Sequence, residues 1–144
     1  LLLAVFAYKK WYSEALFLGI NLVLTGLLVL LLKNIYQRPR PSILHLVEEK
    51  GFSFPSGHSL ASTLVLGSLI IIIGQHVKNK TARYCLQGLL VLGIVTIVVS
   101  RVYVGVHYPS DVLGSMILGL AVLQFEYPLY DRLRFQWRFT GKQK

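Results

Sequence analysis

The chain has 144 residues, 54% of them hydrophobic, with 15 Lys and Arg against 6 Asp and Glu and a formal net charge of +9. That length suits one domain, but the apolar share is too high for an ordinary soluble one, and 12% aromatic content with so little charge excludes disorder. The single cysteine, Cys85, excludes a disulfide within the chain. A basic excess raises nucleic-acid binding, and the placement of the charges decides the matter.

Leu1 to Tyr8 is an apolar octet followed at once by Lys9 and Lys10. The cations follow the run instead of preceding it, the reverse of a secretory leader, so the octet reads as the end of a transmembrane helix that begins before this chain. Four uncharged runs come next, at residues 15–32, 51–77, 84–100 and 112–125. A bilayer core of ~30 Å needs about 20 apolar residues as helix, with ~17 as a workable minimum. Two runs meet that minimum outright, and the other two reach it by borrowing Tyr, Ser or Gly at their ends. Four such helices in a soluble chain of this size would leave almost no polar surface to cover them. The expected fold is therefore all-α, a polytopic transmembrane bundle with four full spans plus the end of a preceding one. It forms a single membrane-embedded domain over 1–144, with 1–8 the helix end and 131–144 a basic tail.

Counting crossings puts residues 9–14, 76–83 and 131–144 on one side and 33–58 and 100–111 on the other. Ten of the fifteen cations fall on the first side: Lys9, Lys10, Lys78, Lys80, Arg83, Arg132, Arg134, Arg138, Lys142 and Lys144. That side is expected to face the cytoplasm, and its Arg132–Lys144 end reads as an anchor to anionic lipid, not as an RNA-binding patch. Five cations, Lys33, Arg38, Arg40, Lys50 and Arg101, break the preference and need another reason to be where they are.

Three segments on that second side supply one. In the first, Lys33 and Arg40 bracket a stretch whose Pro39 and Pro41 force an extended turn. In the second, Pro55-Ser56-Gly57-His58 opens a span, with Ser56 as N-cap and Gly57 allowing close backbone approach to a ligand. A helix N-terminus with free N–H groups is a ready phosphate site. In the third, Ser100-Arg101 ends a span, and His107 and Asp111 stand where the next begins, with Pro109 suited to the first helical position. Asp111, in the first turn, can then reach back to the His107 ring. Each residue alone has a plain structural explanation, such as a snorkelling span end for Lys33 or Arg101. Three cations, a helix N-terminus, two histidines and a carboxylate on one membrane face, gathered from 79 positions, describe a phosphate site with acid–base groups.

Lys33…Arg40-Pro41, Pro55-Ser56-Gly57-His58 and Ser100-Arg101…His107…Asp111 together resemble the three-part signature of the type 2 phosphatidic acid phosphatase superfamily, with no signature position departing from it. The resemblance covers roughly residues 9–130. It implies a six-helix parent with the signature away from the cytoplasm. It also implies hydrolysis of a membrane lipid phosphate or diphosphate: phosphatidic acid, phosphatidylglycerol phosphate or undecaprenyl diphosphate. On that resemblance His107 is the nucleophile and Asp111 holds its other ring nitrogen. His58 is the general acid and then the base, while Lys33, Arg40, Arg101, Ser56 and Gly57 bind the phosphate. No metal and no other cofactor is expected, since Asp111 is the only acid in the three segments. Glu48 and Glu49, conceivable as magnesium ligands, read as solvated residues of a surface loop. Residues 42–49 read as a short helix or structured loop roofing the site beside lipid, with His45 on its surface. The expected partners are the lipid substrate and membrane lipids, with no nucleic acid and no particular oligomeric state. The rival readings are a sugar-phosphate phosphatase of the same superfamily, a vanadium haloperoxidase, and a membrane protein that binds lipid phosphate without cleaving it.

Overall fold

In the computed structural model the described residues are 2–42, 46–47 and 49–143. They form five helices: α1 (Leu2–Tyr8), α2 (Tyr12–Tyr36), α3 (Gly57–His76), α4 (Lys80–Tyr103) and α5 (Pro109–Phe139). The last four are long and apolar enough to cross a membrane, each containing one of the uncharged runs or most of it. At 1.5 Å per residue the 20 residues of α3 span about 30 Å, while the 31 of α5 span about 46 Å and outrun the hydrocarbon. The expected tail from residue 131 is thus helical as far as Phe139.

Helix α3 lies at the centre and packs against α2, α4 and α5. Leu60, Leu64 and Ile72 of α3 meet Phe17 and Leu18 of α2 and Leu123 and Tyr130 of α5 in one buried cluster, with Phe17 and Tyr130 stacked at 4.3 Å. Ile94 and Val98 of α4 pack on Val112 of α5 in a second. The outward faces carry exposed Val23, Leu27, Leu30, Leu89, Leu92, Val99 and Ile117, a surface that water does not tolerate and lipid does. Without a hydrophobic drive between helices in lipid, close approach at small residues takes over. A Cβ on Gly119 would stand 2.8 Å from Thr63 Cγ2 and 2.9 Å from Thr63 Cβ, so α3 and α5 touch there almost backbone to side chain. Thr63 is β-branched and stiff. Gly119→Ala should therefore cost about 1–3 kcal/mol by overpacking and lower the melting temperature in detergent. Gly88→Ala, with nothing within 4 Å of its Cβ, should not.

Each crossing is closed by local chemistry. Gln37 takes a left-handed conformation (φ 43°) and its N–H donates to Lys33 O at 3.0 Å, ending α2 before the two prolines. Ser56 Oγ accepts the Ser59 N–H at 3.4 Å and Asn79 Oδ1 accepts the Ala82 N–H at 3.0 Å, capping α3 and α4. Pro109 is the first residue of α5, and Asp111 Oδ2 accepts the Tyr108 N–H at 3.1 Å. At the opposite end of the bundle Glu14 Oε1 pairs with His76 Nε2 at 2.8 Å. There the Ser13 N–H donates to Gln143 Oε1 at 2.8 Å, and Gln143 Nε2 donates to Ser13 Oγ at 2.8 Å. Gln143 is thereby clasped to the start of α2.

Candidate active site

The C-terminal ends of α2 and α4 and the N-terminal ends of α3 and α5 meet at one end of the bundle, and they carry all three sequence segments there. Lys33, Glu49, Gly57, His58, Ala61 and His107 line a cavity of about 310 Å³. A larger apolar groove of about 740 Å³ between α3, α4 and α5 is lined by neither a cation nor a histidine.

His107 is buried in the turn between α4 and α5. Its Nδ1 faces inward, 3.4 Å from Ser53 Oγ and 3.8 Å from Asp111 Oδ2. The expected direct reach of Asp111 to the ring is therefore mediated, because the Ser53 hydroxyl donates to Asp111 Oδ2 and stands beside Nδ1. Asp111, fully buried, is fixed further by Arg38 Nη1 at 2.6 Å. The other ring nitrogen, Nε2, is directed to the cavity, 3.8 Å from Glu49 Oε2. Burial, reinforced by the Arg40 charge, holds the His107 pKa below its ordinary value; the carboxylates of Glu49 and Asp111 and the contact with Ser53 oppose this without reversing it. A neutral imidazole with Nδ1 against a hydrogen-bonding pair presents its Nε2 lone pair to whatever fills the cavity.

Two of the cations, Arg40 and Arg101, are held by hydrogen bonds. Arg40 donates from Nε to Gly51 O at 3.0 Å, from Nη1 to Val106 O at 2.9 Å and from Nη2 to Lys50 O at 3.3 Å. Arg101 Nε donates to Ser100 Oγ at 3.3 Å. Both guanidinium groups reach the same carboxylate, Arg40 Nη1 at 3.0 Å from Glu49 Oε2 and Arg101 Nη1 at 3.4 Å from Glu49 Oε1. Exposed His58, at the start of α3, has Nδ1 4.0 Å from Glu49 Oε1. Lys33, Arg40, Gly57, His58, Arg101 and His107 thus share one end of the bundle, with Asp111 behind the His107 ring.

Ser56, expected among the phosphate ligands, is fully buried; its N–H donates to Ser115 Oγ at 2.9 Å and its hydroxyl lies 2.9 Å from Ser59 Oγ. Its hydrogen bonds are spent on capping α3 and joining it to α5, which leaves the helix start at Gly57 and His58 for a ligand. Glu49 is not a solvated loop residue but sits among the cations, because the loop folds back with the Leu46 N–H donating to Val104 O at 3.1 Å. His45, Glu48 and part of the expected roof over 42–49 lie outside the described residues. Ser53 and Arg38 are additions. Arg38 was visible as a cation on the unfavoured side, whereas nothing in the sequence marked Ser53.

Residues 14–135 match the PAP2 superfamily. The chain belongs to that superfamily. Among PAP2 relatives it is 37% identical over 120 residues to phosphatidylglycerophosphatase B of Bacillus subtilis, an alignment covering 81% of this chain and 57% of that protein. It is 30% identical over 141 residues to undecaprenyl-diphosphatase BcrC of the same organism, covering 93% and 68%. The crystal structure of a transmembrane PAP2-type phosphatidylglycerolphosphate phosphatase from Bacillus subtilis superposes with a TM-score of 0.80 at 27% identity, over 91% of this chain and 68% of that one. The chain thus spans a little over half of the first of these PAP2 proteins. Its four apolar helices and this fold make it a multi-pass membrane protein.

Proposed function

We propose that this PAP2 chain is a phosphatase for a membrane lipid phosphate or diphosphate, acting through a phosphohistidine and without a metal. The reading rests on one observation: the buried His107 turns Nε2 toward a cavity edged by Lys33 and His58 and bordered by the guanidinium groups of Arg40 and Arg101. A phosphate dianion repels nucleophiles, and three cations with the N-terminus of α3 offset that charge. The Nε2 lone pair of His107 forms a bond to phosphorus as the bond to the leaving oxygen breaks, and His58 gives that oxygen its proton. Ser53 and Asp111 hold the proton on Nδ1 and stabilise the positive ring. Water then attacks phosphorus, His58 takes its proton, and the N–P bond breaks to release phosphate and restore His107. The names of the relatives support phosphatidylglycerol phosphate, undecaprenyl diphosphate and similar lipids as substrates. The charge bias between the two sides supports an active site on the outer face of the cell membrane.

Release of phosphate from such lipids by the purified protein, undiminished in chelator, tests the activity and its metal independence together. A protein that binds the lipids and releases nothing would sink the reading. The titration of His107 is a further test. Burial and the Arg40 charge lower its pKa, so the ring gains its proton at a lower pH than an ordinary histidine does. A histidine ring resonance that vanishes in His107→Ala should show a midpoint under 6.5 in the unliganded protein.

A further inference from the structure

Glu49 is a group in this cavity that the reaction above does not use. Its carboxylate is shared by four side chains. Oε2 lies 3.0 Å from Arg40 Nη1 and 3.8 Å from His107 Nε2, and Oε1 lies 3.4 Å from Arg101 Nη1 and 4.0 Å from His58 Nδ1. Each of these four is a group that the phosphatase reading directs at a phosphoryl group. Carboxylate and phosphate present the same kind of paired oxygens to guanidinium N–H groups, and two anions do not settle side by side in one small cavity. Resting on the phosphatase reading, we infer that Glu49 is the resting occupant of the phosphate position, a tethered competing anion that substrate displaces before His107 reaches phosphorus.

The tether gives the site an affinity threshold. Apparent affinity for any ligand falls by the fraction of time the site stands open, and Glu49 imposes the same factor on every anion. Phosphodiester head groups carry a single charge and crowd the bilayer surface, so the factor keeps them out of the occupied range. A phosphomonoester brings up to two charges to Lys33, Arg40 and Arg101 and still displaces the carboxylate. The loop is anchored on both sides of Glu49, by the Leu46 N–H on Val104 O at 3.1 Å and by Arg40 Nε on Gly51 O at 3.0 Å. With those two bonds kept, opening needs only a rotation of the Glu49 side chain.

The test compares wild type with Glu49→Gln, which keeps the shape and removes the charge, and with Glu49→Ala, which removes both. The assays are hydrolysis of a short-chain phosphatidic acid in detergent, inhibition by inorganic phosphate and by a short-chain phosphatidylglycerol, and phosphate binding by ³¹P line broadening. Expected in both variants is a fall in KM and in both inhibition constants by one common factor, about tenfold for a site closed roughly nine-tenths of the time. Unchanged or weakened phosphate binding overturns the inference. So does a collapse of kcat with phosphate binding unaltered, which would make Glu49 a catalytic residue. If no protein hydrolyses the lipid while both variants still bind phosphate more tightly, the threshold stands and the phosphatase reading falls.

Discussion

Replacing His107 by Ala should abolish phosphoenzyme formation and lower kcat by roughly 10⁴-fold or more, the scale seen when a covalent nucleophile is deleted. The ring is buried, with Nδ1 facing Ser53 and Asp111 and only Nε2 directed at the cavity. No other described side chain presents a neutral nitrogen from that direction, since His58 is exposed and sits at the start of α3. Without the imidazole, water must attack a charged phosphoryl group directly, helped only by the cations. Rapid quench with a phosphate-labelled lipid, read as label retained on protein, measures the loss. Because Lys33, Arg40 and Arg101 are untouched, substrate should still bind, so the defect belongs in kcat. A variant that turns over like wild type would remove His107 from the mechanism.

Asp111→Asn should cost about 10³–10⁴-fold in kcat, by analogy with orienting carboxylates behind a catalytic histidine. Asp111 accepts from the Ser53 hydroxyl, from Arg38 Nη1 at 2.6 Å and from the Tyr108 N–H at 3.1 Å. An amide there offers a donor to a pocket already full of donors, so Ser53 loses its acceptor and the proton on His107 Nδ1 loses its support. The positive ring that forms as phosphorus is attacked is then uncompensated. Ser53→Ala removes the mediator and keeps the charge, and should cost less, on the order of tenfold to a hundredfold. The Asp111 substitution also unpairs Arg38 and one N-terminal bond of α5, so its melting temperature must be measured beside its rate. Equal rates for Asp111→Asn and wild type would reduce the pair to a structural role.

The long features of this protein were readable from its sequence because bilayer thickness sets them. Uncharged runs of 14 to 27 residues lie in or largely within α2, α3, α4 and α5, and Asn79, Pro109 and Ser56 punctuate the helices as their side chains require. The convergence of Lys33, Arg40, His58, Arg101 and His107 was readable for the same reason: counting crossings assigns each span end to a side. The connections between spans were not. Glu49 and Ser53 lie in a segment without periodicity, and the return of that loop over Arg40 depends on carbonyls at Lys50, Gly51 and Val106 that no pattern of side chains announces. Ser56 was read as a cap and as a phosphate ligand; its hydroxyl accepts the Ser59 N–H as a cap does, and the bond from its N–H to Ser115 on α5 was not legible. Arg38 was legible as an anomaly of charge, while its partner Asp111, 73 residues away, was not.

Since the cations and both histidines arrive from the ends of four separate helices, no stretch of the nascent polypeptide carries the chemistry by itself. The turn with His107 and the start of α5 emerge from the ribosome after every other contributor, and Arg40 is secured only when it finds the Val106 carbonyl in that same turn. On the proposed mechanism, an inserted intermediate that lacks this turn is therefore hydrolytically silent toward the lipids around it, and competence waits on the hairpin of α4 and α5.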